Sequence, residues 1–269
     1  MVVFFDRVNY LLLTTIEIHF KPHNIWTRKI MKTPKDYIVF PLDLPDYDQA
    51  MGYVETLKES VGLFKVGLEL FISQGPKIID AIRDVSSAGI FLDLKLHDIP
   101  ATVQRAFRAA SVHRPTFVTV HCDEGDDILR SAAENNPGNT KILAITVLTS
   151  LNQDKLKTLG YRDEYANDIS ALVLQKARLA KDAGCHGVVC SGLEVGMVKQ
   201  SLGPDLIAVT PGIRPAWTLV DQDDQQRIVT PADAVRNGSD YVVIGRPIRD
   251  AKDPRDAAKR VAEEIASAF

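Results

Sequence analysis

The sequence predicts a single-domain α/β fold, a (β/α)8 barrel of the TIM type. Two observations predict it. From Tyr37 onward, eight short apolar segments rich in β-branched residues alternate with helical patterns. Polar residues able to do chemistry also recur at the carboxyl ends of successive strand segments, the end at which such barrels carry their sites. A doubly wound open sheet would share the alternation, but no G-x-G-x-x-G follows the first strand.

The strand segments run in order. YIVFPLDL (37–44), LFKVGLEL (63–70), GIFLDLKL (89–96) and TFVTVH (116–121) supply the first four. KILAITVLT (141–149), GVVCSG (187–192), LIAVTPG (206–212) and YVVIGR (241–246) supply the rest. Near-continuous apolar runs of this length suit strands buried on both faces of a parallel sheet. Between them lie helical patterns such as 46–61, 76–88, 163–184 and 231–238, several of which stop at Gly.

Residues 1–30 lack a coherent repeat, and Asp6, Arg7 and Glu17 interrupt their apolar clusters. No small-residue cleavage site follows, so they make a poor signal peptide. They are read as an N-terminal extension, non-native or disordered, with Met31 as the biological start; the alternative is a genuine docking segment. Residues 31–269 then form the barrel domain.

Composition narrows the function classes. The 269 residues are 45% hydrophobic and 25% charged, enough for a large core. A net charge of −3 without a basic run gives no nucleic-acid footprint. No apolar stretch reaches membrane-span length. The three cysteines, Cys122, Cys185 and Cys190, form no CxxC and no metal-ligand spacing. They read as small buried hydrophobes in a reducing cytoplasm.

The sharpest motif is FLDLKLHDIPATV (91–103). Asp93 and Lys95 are two apart on a strand and project to one face. Asp98 falls in the following turn, and Pro100 sits at the first position of a helix, where its missing N–H costs nothing. Two carboxylates around one ammonium are costly to assemble for packing alone. Candidate site residues end the other strands too: Asp43 on the first, Lys65 within the second, Thr149 on the fifth, Gly212 and Arg214 after the seventh, Gly245 and Arg246 after the eighth. Scattered surface charges would not choose one end of successive strands.

The last two βα loops, TPGIRP (210–215) and VVIGRPI (242–248), read as a phosphate site. Gly245 permits close backbone approach. Arg246 offers a planar fork for phosphate oxygens, and Arg214 could do the same or pair with a carboxylate. AWTLVDQDDQQR (216–227) is polar and aperiodic, as lids often are, and Gln225 could bridge two ligand groups there.

Taken together, FPLDLPD, FKVGLELF, DLKLHDIPATV, TPGIRP and DQQRIVTPADA…YVVIGRPI resemble the bacterial orotidine 5′-phosphate decarboxylases over roughly residues 37–268. The resemblance implies conversion of orotidine 5′-monophosphate (OMP) to UMP and carbon dioxide, with no metal and no organic cofactor, in a homodimer with shared active sites. It implies that Asp43 contacts the ribose and base region, and that Lys65 binds a ribose hydroxyl and orients the charges. Asp93 would face the substrate carboxylate and Lys95 would donate the proton. Asp98 and Thr102 would reach the neighbouring subunit's site, Thr149 would contact the pyrimidine, and Arg214, Gln225, Gly245 and Arg246 would hold the phosphate and close the lid. One departure is visible: members often carry a small, glycine-rich stretch after the fourth-strand His, whereas here His121 is followed by Cys122, Asp123 and Glu124 before Gly125.

Two rivals stand beside this reading. Mg²⁺-dependent sugar-phosphate lyases on the same scaffold share D-x-K-x-x-D but typically carry Glu at the second-strand position. Here that position is Lys65, a cation that repels a metal. The second rival is a non-catalytic nucleotide-binding barrel, against which the complete acid/base set speaks. His97 and His113 have no metal-spaced partner and read as solvated or structural.

Overall fold

Buried strands need β-branched and aromatic side chains on both faces, and the eight apolar segments provide them. In the computed structural model, which describes residues 32–134, 136–218 and 229–269, they pair in sequence order into a closed parallel barrel. The strands are β1 (Ile38–Pro41), β2 (Leu63–Val66), β3 (Gly89–Leu96), β4 (Phe117–His121), β5 (Lys141–Ile145), β6 (Gly187–Val189), β7 (Ile207–Thr210) and β8 (Tyr241–Val243). Closure comes from β1 against β8, with Val39 opposite Val243. The fold is a single-domain (β/α)8 barrel, as the alternation predicts.

The helices are α1 (Tyr47–Leu57), α2 (Leu68–Gln74), α3 (Lys77–Val85), α4 (Pro100–Val112), α5 (Asp126–Glu134) and α6 (Gln153–Thr158). They continue with α7 (Asp163–Asn167), α8 (Ile169–Asp182), α9 (Val195–Leu202), α10 (Pro231–Arg236), α11 (Arg246–Arg249) and α12 (Pro254–Ala266). Their starts are written in the sequence. Asp46 accepts from Gln49 N–H, Thr230 from Asp233 N–H, and Asp253 from the N–H groups of Arg255 and Asp256. Such caps satisfy donors that a helix leaves orphaned at its first turn.

Two apolar layers hold the barrel. The inner one fills its interior with Val39, Leu63, Phe91, Phe117, Leu143 and Val209. Phe91 meets Phe117 edge-on at 5.9 Å, and Phe117 meets Tyr241 at 5.2 Å. Complete burial of each such side chain contributes roughly 1.5–3 kcal/mol. The outer layer lies between strands and helices and includes Phe40, Phe64, Ile79, Leu92 and Phe107.

Several boundaries differ from the sequence expectation. The segment 63–70 is a strand only to Val66; Gly67 is extended and α2 begins at Leu68. LELFIS is apolar enough to fit either period, so the run hides the change. The helix expected over 163–184 is two helices. Asp168 leaves helical geometry at φ −129° and caps α8 by accepting from Ala171 N–H at 3.1 Å. The fifth strand stops at Ile145, which puts Thr149 in the loop beyond it rather than at the strand end. The first, sixth, seventh and eighth strands are likewise shorter than their apolar runs. The belt of barrel pairing is narrow, and the remaining apolar residues line the loops above it. Residues 1–30 and Gln225 lie outside the described residues.

Candidate active site

Period-two alternation builds the site from the core upward. Leu63, Phe91 and Phe117 point into the barrel as part of its inner layer. Two residues further along the same strands, Lys65, Asp93 and Thr119 occupy the same face one level higher. Apolar floor thus changes to charged site within one step of each strand.

The charges form a chain of alternating sign. Lys65 Nζ lies 2.9 Å from Asp43 Oδ1 and 3.6 Å from Asp93 Oδ2. Lys95 Nζ donates to the same Asp93 oxygen at 2.8 Å. Thr119 Oγ1 donates to the other Asp93 oxygen at 3.0 Å and accepts the Lys95 backbone N–H at 2.8 Å. Gly67 leaves room for this chain, since a Cβ there would stand 3.0 Å from Asp43 Oδ1 and 3.1 Å from Lys65 Nζ.

Lys95 reaches its place through a backbone irregularity. Leu92 pairs with Val118 and Leu96 with Val120, so three residues of β3 oppose Thr119 alone. Within that bulge Lys95 adopts φ 49°, a left-handed conformation that few non-glycine residues take. Strain of this kind costs about 1–3 kcal/mol and persists where surroundings over-determine it. Here both the amide and the ammonium of Lys95 are tied down.

Asp93 is buried. Burial alone would favour its neutral form, but the Lys65 and Lys95 ammoniums and the hydrogen bonds from Lys95 and Thr119 outweigh that. They hold the carboxyl below the usual carboxylate range. The Cys122 and Cys185 thiols, by contrast, are pushed up to about 12 chiefly by burial, so neither is a thiolate at neutral pH.

In the loop after β7, Arg214 is buried and donates to the Ile213 carbonyl at 3.1 Å. Gly245 lets the chain pass close to β1, because a Cβ there would stand 3.0 Å from Pro41 Cγ. Arg246 follows at once as the first residue of α11.

One cleft of about 450 Å³ collects these groups. Asp43, Lys65, Asp93, Lys95, Thr149, Arg214, Gly245 and Arg246 all line it, as does Gly212. Arg249 adds a cation that the sequence reading missed. Five cationic side chains therefore face two carboxylates across an apolar floor, a charge balance suited to a polyanionic ligand. Asp98 and Thr102 do not join them. Asp98 is exposed and accepts from the Ile99 N–H at 2.7 Å, and Thr102 lies on α4. Thr119 was also missed, although a polar residue two after Phe117, on the same face of the strand in TFVTVH, was its signal. Arg249 gave no signal, because a surface helix carries arginine just as often.

Among the described residues no group of three or more His, Cys, Asp or Glu side chains is arranged to hold a metal ion. His97 pairs instead with Glu124 at 2.9 Å.

The family model described as orotidine 5′-phosphate decarboxylase / HUMPS family matches residues 36–261, which include every residue of the cleft. The chain belongs to this family. Among its relatives within the family, the orotidine 5′-phosphate decarboxylase of Desulfosudis oleivorans is 50% identical over 239 residues, covering 88% of this chain and 96% of that protein. The orotidine 5′-phosphate decarboxylase of Methylococcus capsulatus is 46% identical over 235 residues, covering 87% of this chain and 93% of that one. These relatives are carboxy-lyases by name. A solved structure of the Lactobacillus acidophilus orotidine 5′-phosphate decarboxylase matches with a TM-score of 0.73 at 35% identity, over 85% of this chain and 98% of that one. The family and the barrel thus agree with the sequence expectation.

Proposed function

We propose that this chain decarboxylates OMP to UMP and carbon dioxide in de novo pyrimidine biosynthesis, without metal or organic cofactor, with Lys95 as proton donor. The observation that carries the reading is the Asp43–Lys65–Asp93–Lys95 chain, set in a cleft that Arg214, Gly245 and Arg246 also line. OMP is an anion at both ends, a phosphate and a C6 carboxylate, and the cleft offers cations at both. Lys65 in place of an acidic ligand favours the metal-free reaction over the Mg²⁺-dependent lyases.

The chemistry follows from the charges. Loss of carbon dioxide leaves negative charge on C6. An ammonium fixed beside that carbon stabilises the charge as it develops and then donates a proton to it. Asp93 holds the Lys95 ammonium in place through their 2.8 Å contact. It also crowds the substrate carboxylate in the ground state, a strain that eases as carbon dioxide leaves. Asp43 and Lys65 address the ribose, Thr149 the pyrimidine. Arg214, Gln225, Gly245 and Arg246 take the phosphate, whose remote binding energy closes the site.

Asp98 and Thr102 stand outside their own cleft, which supports a homodimer in which they complete the partner's site. Residues 31–269 are then the catalytic domain and residues 1–30 an extension. Three buried free cysteines fit a reducing cytoplasm. The test is spectrophotometric: purified protein should deplete OMP absorbance and form UMP at an undiminished rate in excess EDTA. Activity lost on chelation and restored by Mg²⁺ would assign the chain to the lyases, and no turnover at all would make it a binding barrel.

A further inference from the structure

A second set of ionisable side chains lies beside the cleft rather than in it, and the reaction scheme above uses none of them. Its innermost member is Lys176 on α8, a buried ammonium. Burying an ammonium costs several kcal/mol unless it is paired and hydrogen-bonded. Lys176 is both. It meets the Asp123 carboxylate, donates to the Thr146 carbonyl at 3.2 Å, and reaches the Tyr161 hydroxyl at 3.3 Å. One side chain thus ties together the loops after β4 and β5 and the segment before α7.

From Asp123 the connections run toward the β3–α4 turn. Asp123 Oδ2 stands 2.6 Å from His121 Nδ1, a close contact that is not aligned as a hydrogen bond. The His121 ring stacks on that of His97, with centroids 5.2 Å apart and planes 29° apart. Glu124, next along from Asp123, accepts from His97 Nε2 at 2.9 Å. His97 is therefore held by a stacked ring and by a carboxylate. The next residue is Asp98, in a short turn that leads directly into α4.

Only the Lys176 end of this pair is buried, the Asp123 end being exposed, and an ion pair with a solvated partner gives little net stability. Asp123 and Glu124 also sit where the chain departs from the small, glycine-rich stretch expected after the fourth-strand His, and Lys176 reaches Asp123 from α8. What such a pair supplies is geometry. We infer that the Lys176–Asp123 pair, acting through Glu124, His121 and His97, fixes the turn that carries Asp98, and that these five are positioning residues for the active site which that turn serves. The inference rests on the reading of Asp98 as an active-site residue.

The test is steady-state OMP turnover by four purified variants, each with its thermal midpoint. Glu124 is an exposed side chain, so Glu124→Ala leaves folding intact. Its kcat should fall about 10- to 100-fold, the scale of a displaced catalytic group, with KM and midpoint little changed. Glu124→Gln keeps an acceptor for His97 and should recover most of that loss. Asp98→Ala should be slow, and Asp98→Ala combined with Glu124→Ala should be no slower, because the two act through one group. Wild-type kcat in Glu124→Ala overturns the inference, as does a loss additive with Asp98→Ala or one seen in the midpoint alone. If Asp98→Ala is itself slow, the reading of Asp98 survives that failure. If Asp98→Ala turns over normally, both fall together.

Discussion

Asp93 shows how a single residue ties stability to function. Its carboxylate is buried, touched by two ammoniums and a hydroxyl, and held in the charged form. Because the folded-state value is depressed, its contribution is present above the ordinary carboxylate range and is lost as pH falls through the lower folded value. Asp93→Asn should therefore be less stable than the native protein at pH 7, with the gap narrowing below about pH 4. Urea unfolding at several pH values measures this, and a gap that does not change with pH would mean that the carboxylate is not held by its neighbours. At this scale much of the site was legible. D-x-K-x-x-D singles out Asp93, Lys95 and Asp98 because charges are rarely gathered at the end of an apolar strand without use. The sequence could not show that Asp98 leaves the pocket, since five residues of spacing across a turn do not define a direction. Thr149 was recognised as a lining residue but on the wrong element, because the apolar run of its strand continues past the last paired residue.

At the scale of elements, the decisive feature is the bulge in β3. Alternation alone would place Asp93 and Lys95 on one face, and their side chains do meet, but through a left-handed Lys95 opposite Thr119. No residue type announces this: lysine has no preference for positive φ, and the requirement comes from the neighbouring strand. Thr119 is the element's anchor, since it bonds both the Asp93 carboxylate and the Lys95 amide. Thr119→Val keeps the shape and removes both bonds. It should cost about 1–3 kcal/mol in unfolding free energy, the usual penalty for buried polar groups left unpaired. It should also lower kcat by loosening Lys95. Unchanged stability and turnover would show that the bulge holds itself. The break between α7 and α8 is the converse case. Asp168 is a good cap in the sequence, but the apolar positions on either side share one helical period and mask it.

The barrel as a whole was the most legible level, because eight buried strands impose a composition that few other folds share. Closure and strand order follow from it. Association is different in kind: an exposed turn ending in Ile99 can be read from one chain, but not what covers it. The proposed homodimer predicts complementation. Asp98→Ala and Lys95→Ala should each be strongly impaired alone. After subunit exchange, about half of the dimers are mixed and each of those carries one intact site, so activity should recover to about one quarter of native, as the two-fold arrangement requires. Verified exchange without recovery would place both residues in one chain's site. The claim on which the rest depends is that Lys95 gives the proton in OMP decarboxylation. The direct measurement is OMP turnover by Lys95→Ala, with its fold checked by circular dichroism. Proton transfer alone accounts for roughly 10²–10⁴-fold and charge stabilisation adds to it, so turnover should fall by at least that factor while the barrel persists. Near-native turnover by a folded Lys95→Ala would contradict the mechanism.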